Sequence, residues 1–299
     1  MLSKESKLYY IRQCIWICVL GIVGIVCEFV PSHPTPFIEG DYSISHSCGN
    51  TISTVSAFLY YFVVIFVSVG MVLVLSSVQD WKKMAFHALL LCLRIMANCF
   101  GYINVLKLFT GRPRPCFFDM CGYPKSSKIP FLYGTPGMQG DITKCTANVY
   151  AIHDAMRSFP SGHASISGSA FMIFLIFSKV IQRHYLKQSR RFSSVIKIVQ
   201  LVLSISSIAI SATRIFDYRH FASDTVAGYL LGLYITLATN NQVQLSYLLS
   251  LKRPSNVSST SYDEMIEDEV RNSGVIRLHM FQPKRFDLTQ SNQNDMKVI

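Results

Sequence analysis

Long apolar runs recur along this chain, and they restrict its fold more than any other feature. They cover residues 9–30, 56–78, 84–106, 164–181, 195–212 and 225–238. A helix needs about 20 apolar residues to cross the hydrocarbon core of a bilayer. Within lipid no water satisfies backbone N–H and C=O groups, so such runs must be helical. Only 15% of the residues are charged, against about 25% in soluble domains. The pattern predicts an all-α, six-span transmembrane helical bundle over residues 1–242. Residues 243–299 form a polar tail with an acidic patch at 263–269, expected to be disordered. The first run is too long for a signal-peptide core and no small-residue cleavage site follows it, so it reads as a retained signal anchor.

The net charge is +11, and its placement predicts an orientation rather than nucleic-acid binding. Lys4, Lys7, Arg12, Lys82, Lys83, a cluster from Lys179 to Lys197, Lys252 and Arg253 fall on one side of the six runs. The 31–55 loop on the other side has Glu39 and Asp41 but no Lys or Arg. The positive-inside rule puts both termini in the cytoplasm and the 31–55, 107–160 and 213–223 loops in lumenal or extracellular space. Charge does not say whether the membrane is endoplasmic reticulum, vacuole or cell surface. Of nine cysteines, Cys14, Cys18, Cys27, Cys92 and Cys99 fall in apolar runs and read as packing residues. Cys48, Cys116, Cys121 and Cys145 fall in outer loops, where disulfides form. Cys121–Cys145 is the favoured pair, although spacing alone does not fix connectivity. The sequon at Asn256 lies in the cytoplasmic tail and is expected to stay unmodified.

The outer loops nevertheless carry cations at three span ends, against the charge rule. The first cluster is Lys107-Leu-Phe-Thr-Gly-Arg112-Pro113-Arg114-Pro115. Snorkelling explains Lys107 alone, but Pro113 and Pro115 hold Arg112 and Arg114 on a stiff backbone. The second is Pro160-Ser161-Gly162-His163. Ser161 caps a helix start, whose free N–H groups and dipole favour an anion that Gly162 lets approach closely. By itself this is a capped helix with an incidental histidine. The third is Thr213-Arg214-x5-His220-x3-Asp224. In a helix His220 and Asp224 would face each other at i,i+4, and the carboxylate would fix the imidazole tautomer. Brought together, Lys107, Arg114 and Arg214 could surround one phosphoryl group. One histidine would attack phosphorus and the other protonate the leaving oxygen. Their surroundings must then push their pKa values apart. Two histidines and a carboxylate can also form a metal triad, but no Cys/His metal spacing is present. Arg94 lies deep in the third run. It is either functional, or paired with a carboxylate such as Glu28, or ahead of a span that begins later.

The three motifs, in this order and spacing, resemble the signature of the type 2 phosphatidic acid phosphatase superfamily, and within it the lipid phosphate phosphatases, six-span membrane enzymes with active-site loops on the exoplasmic side. The resemblance spans roughly residues 8–240. It implies His220 as nucleophile, Asp224 as its orienting carboxylate and His163 as general acid. It implies that Lys107, Arg114, Ser161, Gly162 and Arg214 hold the phosphoryl oxygens, with no metal and no cofactor. The implied activity is metal-independent hydrolysis of phosphatidate, lysophosphatidate, diacylglycerol pyrophosphate or sphingoid-base phosphates through a phosphohistidine. A lipid phosphotransferase using the same covalent step is the alternative. The partners implied are a lipid phosphate and the bilayer, with no nucleic acid, and the oligomeric state stays open. Two departures stand out: Thr213 replaces the usual Ser, and Phe221-Ala222 replaces a common His-Trp pair, which bears on substrate preference.

Overall fold

The computed structural model describes residues 4–49, 59–67, 70, 81–127, 129, 131–185 and 190–250. The described elements are helical: α1 (Lys4–Phe29), α2 (residues 59–67), α3 (Trp81–Thr110), α4 (Phe117–Cys121), α5 (Val149–Ala155), α6 (Gly162–Tyr185), α7 (Arg190–Phe216) and α8 (Ala222–Ser250). No strand occurs among the described residues, only the isolated bridges Ile38–Gln139 and Lys125–Tyr133. The all-α expectation therefore holds. Three described helices are long and apolar enough to cross a membrane, over Leu8–Phe29, Phe86–Thr110 and Ser193–Phe216. The runs at 164–181 and 225–238 form α6 and α8. Most of the run at 56–78, and the tail from residue 251 with its sequon and acidic patch, lie outside the described residues.

The bundle is apolar outside and partly polar inside. Ile15, Val19 and Ile22 of α1 and Ile198, Leu201 and Ile205 of α7 are exposed, while Ser167, Ser169, Ser207, Ser211, Thr236 and Thr239 are buried. Lipid tails are as apolar as Leu, so helices in a membrane associate through small residues and hydrogen bonds rather than hydrophobic burial. The contacts follow that logic. Ser167 and Ser211 hydroxyls lie 2.9 Å apart between α6 and α7. At Gly228 and Gly232, α8 meets α6 so closely that an added Cβ would sit 2.3 Å from the Ser161 carbonyl oxygen and 2.1 Å from that of Ser165.

Helices α1 and α3 run side by side, with Tyr10 bonded to His87 at 2.7 Å and Arg94 5.0 Å over the Trp16 ring. This register overturns an Arg94–Glu28 pair: Glu28 lies about 18 Å further along α1 than Trp16. Glu28 instead receives Arg157, whose Nη1 donates to its backbone oxygen at 2.8 Å and whose Nη2 lies 3.3 Å from Oε2.

The loops at 31–49 and 107–160 fold into a cap over one end of the bundle. Its small core contains Phe37, Phe117, Phe118, Tyr123, Tyr133 and Met156. Glu39, buried within it, accepts from Tyr123 and Lys144 at 2.6 Å each and from the Thr135 N–H at 2.6 Å. The Lys144 bond, aided by the other two, pulls its carboxyl down to about 2. Cys121–Cys145 forms as favoured, and Cys48–Cys116 is a second disulfide; the Cα–Cα distances are 5.1 and 5.2 Å. The five cysteines of the apolar runs are free thiols.

Candidate active site

The three motifs meet where α3 and α7 end and α6 and α8 begin. Hydrogen bonds tie each to the other two. Thr110 donates its hydroxyl to the Phe159 carbonyl at 2.8 Å, and the Ser158 N–H bonds the Arg112 carbonyl at 3.0 Å, joining first to second. The Ser161 N–H bonds the Asp224 carbonyl at 3.0 Å, joining second to third. Arg112 bridges to Asp224 Oδ1 at 2.6 Å, and its guanidinium lies 4.3 Å over the Phe221 ring, joining first to third. Ser161 stands as the cap position before α6, as expected, with its side chain buried and its Oγ without a hydrogen-bond partner among the described residues. A Cβ at Gly162 would lie 3.8 Å from Lys107 Nζ, so the lysine reaches over the start of α6.

His220 is oriented differently from the sequence expectation. Residues 217–221 are turn, bend and irregular backbone, and α8 starts only at Ala222. The i,i+4 geometry therefore does not arise. His220 Nδ1 lies 2.6 Å from the Ser158 carbonyl oxygen. A carbonyl can only accept, so Nδ1 carries the hydrogen and a neutral ring presents its lone pair at Nε2. Asp224 sits in the first turn of α8. Its Oδ2 accepts from the Ser158 hydroxyl at 2.5 Å and from the Phe221 N–H at 3.0 Å. The second bond is the third-residue half of a capping box. Asp224 thus touches the residue that holds the imidazole, while Ser158 supplies the bond to the imidazole.

The cations converge, and the two arginines are anchored by carboxylates or carbonyls. Arg114 donates through Nε to the Asp154 carbonyl at 2.7 Å, through Nη2 to Asp154 Oδ1 at 2.5 Å and through Nη1 to the Arg219 carbonyl at 3.2 Å. Arg214 pairs with Asp217. Lys107 and Arg214 occupy the last turns of α3 and α7 rather than loops, where the helix dipole favours cations. His163 stands just ahead of the apolar segment of α6. Burial first, then Arg214, Lys107 and Arg114, drive it down to about 3. Burial, followed by Arg114 and Lys107, also holds His220 well below its ordinary value, and His163 adds to that depression. Both histidines therefore shift in the same direction, and the expected divergence does not arise from burial and the fixed cations.

Arg112 of the first cluster joins the site through Asp224, and Ser158, Asp154 and Asp217 complete it but carried no motif signal of their own. Only the arginines hinted at them, because a buried guanidinium requires acceptors. Among the described residues no group of three or more His, Cys, Asp or Glu side chains could hold a metal ion.

The family model described as PAP2 superfamily matches residues 85–247. A PA-phosphatase related-family protein of Dictyostelium discoideum is 27% identical over 79% of this chain, which spans 64% of that protein's length. Diacylglycerol pyrophosphate phosphatase 1 of Saccharomyces cerevisiae is 26% identical over 71% of this chain and 73% of its own. Probable lipid phosphate phosphatase 4 of Arabidopsis thaliana is 32% identical over 44% of this chain and 39% of its own. No solved structure matches.

Proposed function

This chain belongs to the PAP2 superfamily, and from that premise we propose that it is a membrane phosphatase hydrolysing lipid phosphates such as phosphatidate, lysophosphatidate or diacylglycerol pyrophosphate. The observation that carries the proposal is the meeting of three separate motifs around the buried His220, the half-buried His163 and the cations Lys107, Arg114 and Arg214. His220 Nε2 attacks phosphorus, a phosphohistidine forms, and the bond from phosphorus to the leaving oxygen breaks. His163 gives that oxygen its proton. A phosphate dianion among Lys107, Arg114 and Arg214 offsets their field and raises His163, so substrate binding itself readies the acid. Water then attacks the phosphohistidine, with His163 taking back the proton, and inorganic phosphate leaves. Ser161, Gly162 and the three cations hold the phosphoryl oxygens, consistent with a reaction that needs electrostatic stabilisation above all. Ser158 and Asp224 position His220. The cycle uses no metal.

Six spans, cytoplasmic termini and an exoplasmic site belong to the same reading, with residues 1–242 as the membrane domain and 243–299 as a cytoplasmic tail. Two disulfides on the side of the site suit an oxidising compartment. The diacylglycerol pyrophosphate and lipid phosphate phosphatases among its relatives favour a lipid substrate. The test is phosphate release by purified protein in chelator, with and without His220→Ala. Loss of release with normal membrane insertion is expected. Retained activity in that variant overturns the mechanism, and transfer of phosphate to a lipid alcohol in place of free phosphate would make it a transferase.

A further inference from the structure

A groove runs down the bundle between α3 and α8, starting directly beneath the candidate active site. Its volume is about 390 Å³, and its walls include Tyr102 and Leu106 of α3 and Leu231 and Ile235 of α8. At the upper end, Leu106 immediately precedes Lys107, and Leu231 lies two turns beyond Asp224. At the lower end, Asn98 Nδ2 donates to Thr239 Oγ1 at 2.6 Å, and both residues are buried. The Asn98 carboxamide oxygen has no hydrogen-bond partner among the described residues, and neither do Nε and Nη1 of Arg94, one turn further down. The walls are apolar and the floor is polar. Each wall is about 12 Å of helix between its end residues. Tyr102 and Tyr234 are 46% and 52% exposed, so the groove opens sideways toward lipid.

Resting on the lipid phosphate reading, we propose that this groove takes one acyl chain of the substrate and that the Asn98–Thr239 pair gauges its length. A headgroup held by Lys107 starts its chain at Leu106 and Leu231, where the groove begins. The volume is at the small end of ligand pockets and suits one chain rather than two. The length accommodates roughly nine or ten methylenes before the polar floor. A chain gains little by leaving lipid for another apolar wall. The groove therefore acts by position, holding the phosphate at the depth of His220. A longer chain must break the floor hydrogen bond without replacing it, or turn out past Tyr102 and Tyr234.

The test uses the full chain in mixed micelles with lysophosphatidates of six to eighteen carbons. In the wild type, kcat/KM rises to about ten carbons and then levels or falls. Ala238→Phe, which fills the lower half of the groove, moves that break to shorter chains, and Asn98→Ala with Thr239→Val moves it to longer ones. A second measurement needs no variant: a ten-carbon lysophosphatidate with a terminal diazirine labels peptides containing residues 98–106 or 231–239. Phosphate release without chain-length dependence, or label confined to other peptides, overturns the groove's role alone. A wild type that releases phosphate from no chain length overturns the phosphatase reading and the groove's role with it.

Discussion

Ser158→Ala separates two ways in which Asp224 can act. Alanine keeps the carbonyl that accepts from His220 Nδ1 and removes only the hydroxyl that donates to Asp224 Oδ2 at 2.5 Å. Ser158 and Asp224 are both fully buried, so water does not replace the lost bond. A hydrogen bond to a charged group is worth about 1.5–3 kcal/mol. The lower half applies here, because the Phe221 N–H still donates to the same oxygen at 3.0 Å. About 1.5–2 kcal/mol corresponds to about ten- to thirtyfold in kcat/KM if it is all expressed in the transition state. Asp224→Ala also removes the Arg112 bridge, which is discounted because that guanidinium is 38% exposed. Its loss should be about 3–4 kcal/mol, a few hundredfold. If Asp224 works through Ser158, the double variant is no worse than Asp224→Ala, a coupling of about 1.5–2 kcal/mol. The assay is phosphate release by detergent-purified variants that elute as the wild type does on gel filtration. Additivity within about 0.5 kcal/mol would refute the reasoning and give Asp224 a route to His220 that bypasses Ser158.

Sulfate keeps its charge across the working pH range and should inhibit competitively. Because burial and the cations hold His163 down to about 3, a bound dianion raises its pKa and the imidazole takes up a proton. Inhibition should then weaken as pH rises through the raised pKa, by up to about tenfold per unit, and a pH-independent inhibition constant would contradict this. Arg114→Lys keeps the charge but cannot reproduce three directed bonds to Asp154 and the Arg219 carbonyl. We expect a loss of about a hundredfold in kcat/KM, and near-normal kinetics would reduce Arg114 to a point charge. The Cys48–Cys116 bridge closes 68 residues and Cys121–Cys145 closes 24. Serine pairs at these positions should lower stability by at most about 4 and 3 kcal/mol, measured by thermal proteolysis of the cap. The reverse order would mean that loop entropy does not govern the cap.

Much of this protein was legible in its sequence because lipid imposes a simple demand. Runs of about 20 apolar residues have to be helices, and the all-α fold followed from that. Local chemistry was equally readable. Helix α6 starts directly after Ser161, the four loop cysteines pair while the five in apolar runs do not, and Lys107, Arg114, His163, Arg214 and His220 come together. Tertiary structure decided which groups serve as partners. Sequence adjacency suggested that Asp224 holds His220, but the non-helical stretch between α7 and α8 turned the imidazole toward the Ser158 carbonyl instead. The register of α1 against α3 gave Arg94 a ring and Glu28 a different arginine. Hydrogen-bond partners depend on direction as well as proximity, and direction is set by how distant helices pack, which no linear spacing encodes. The protonation of the histidines has the same origin, since their depression comes from burial and from cations on other elements.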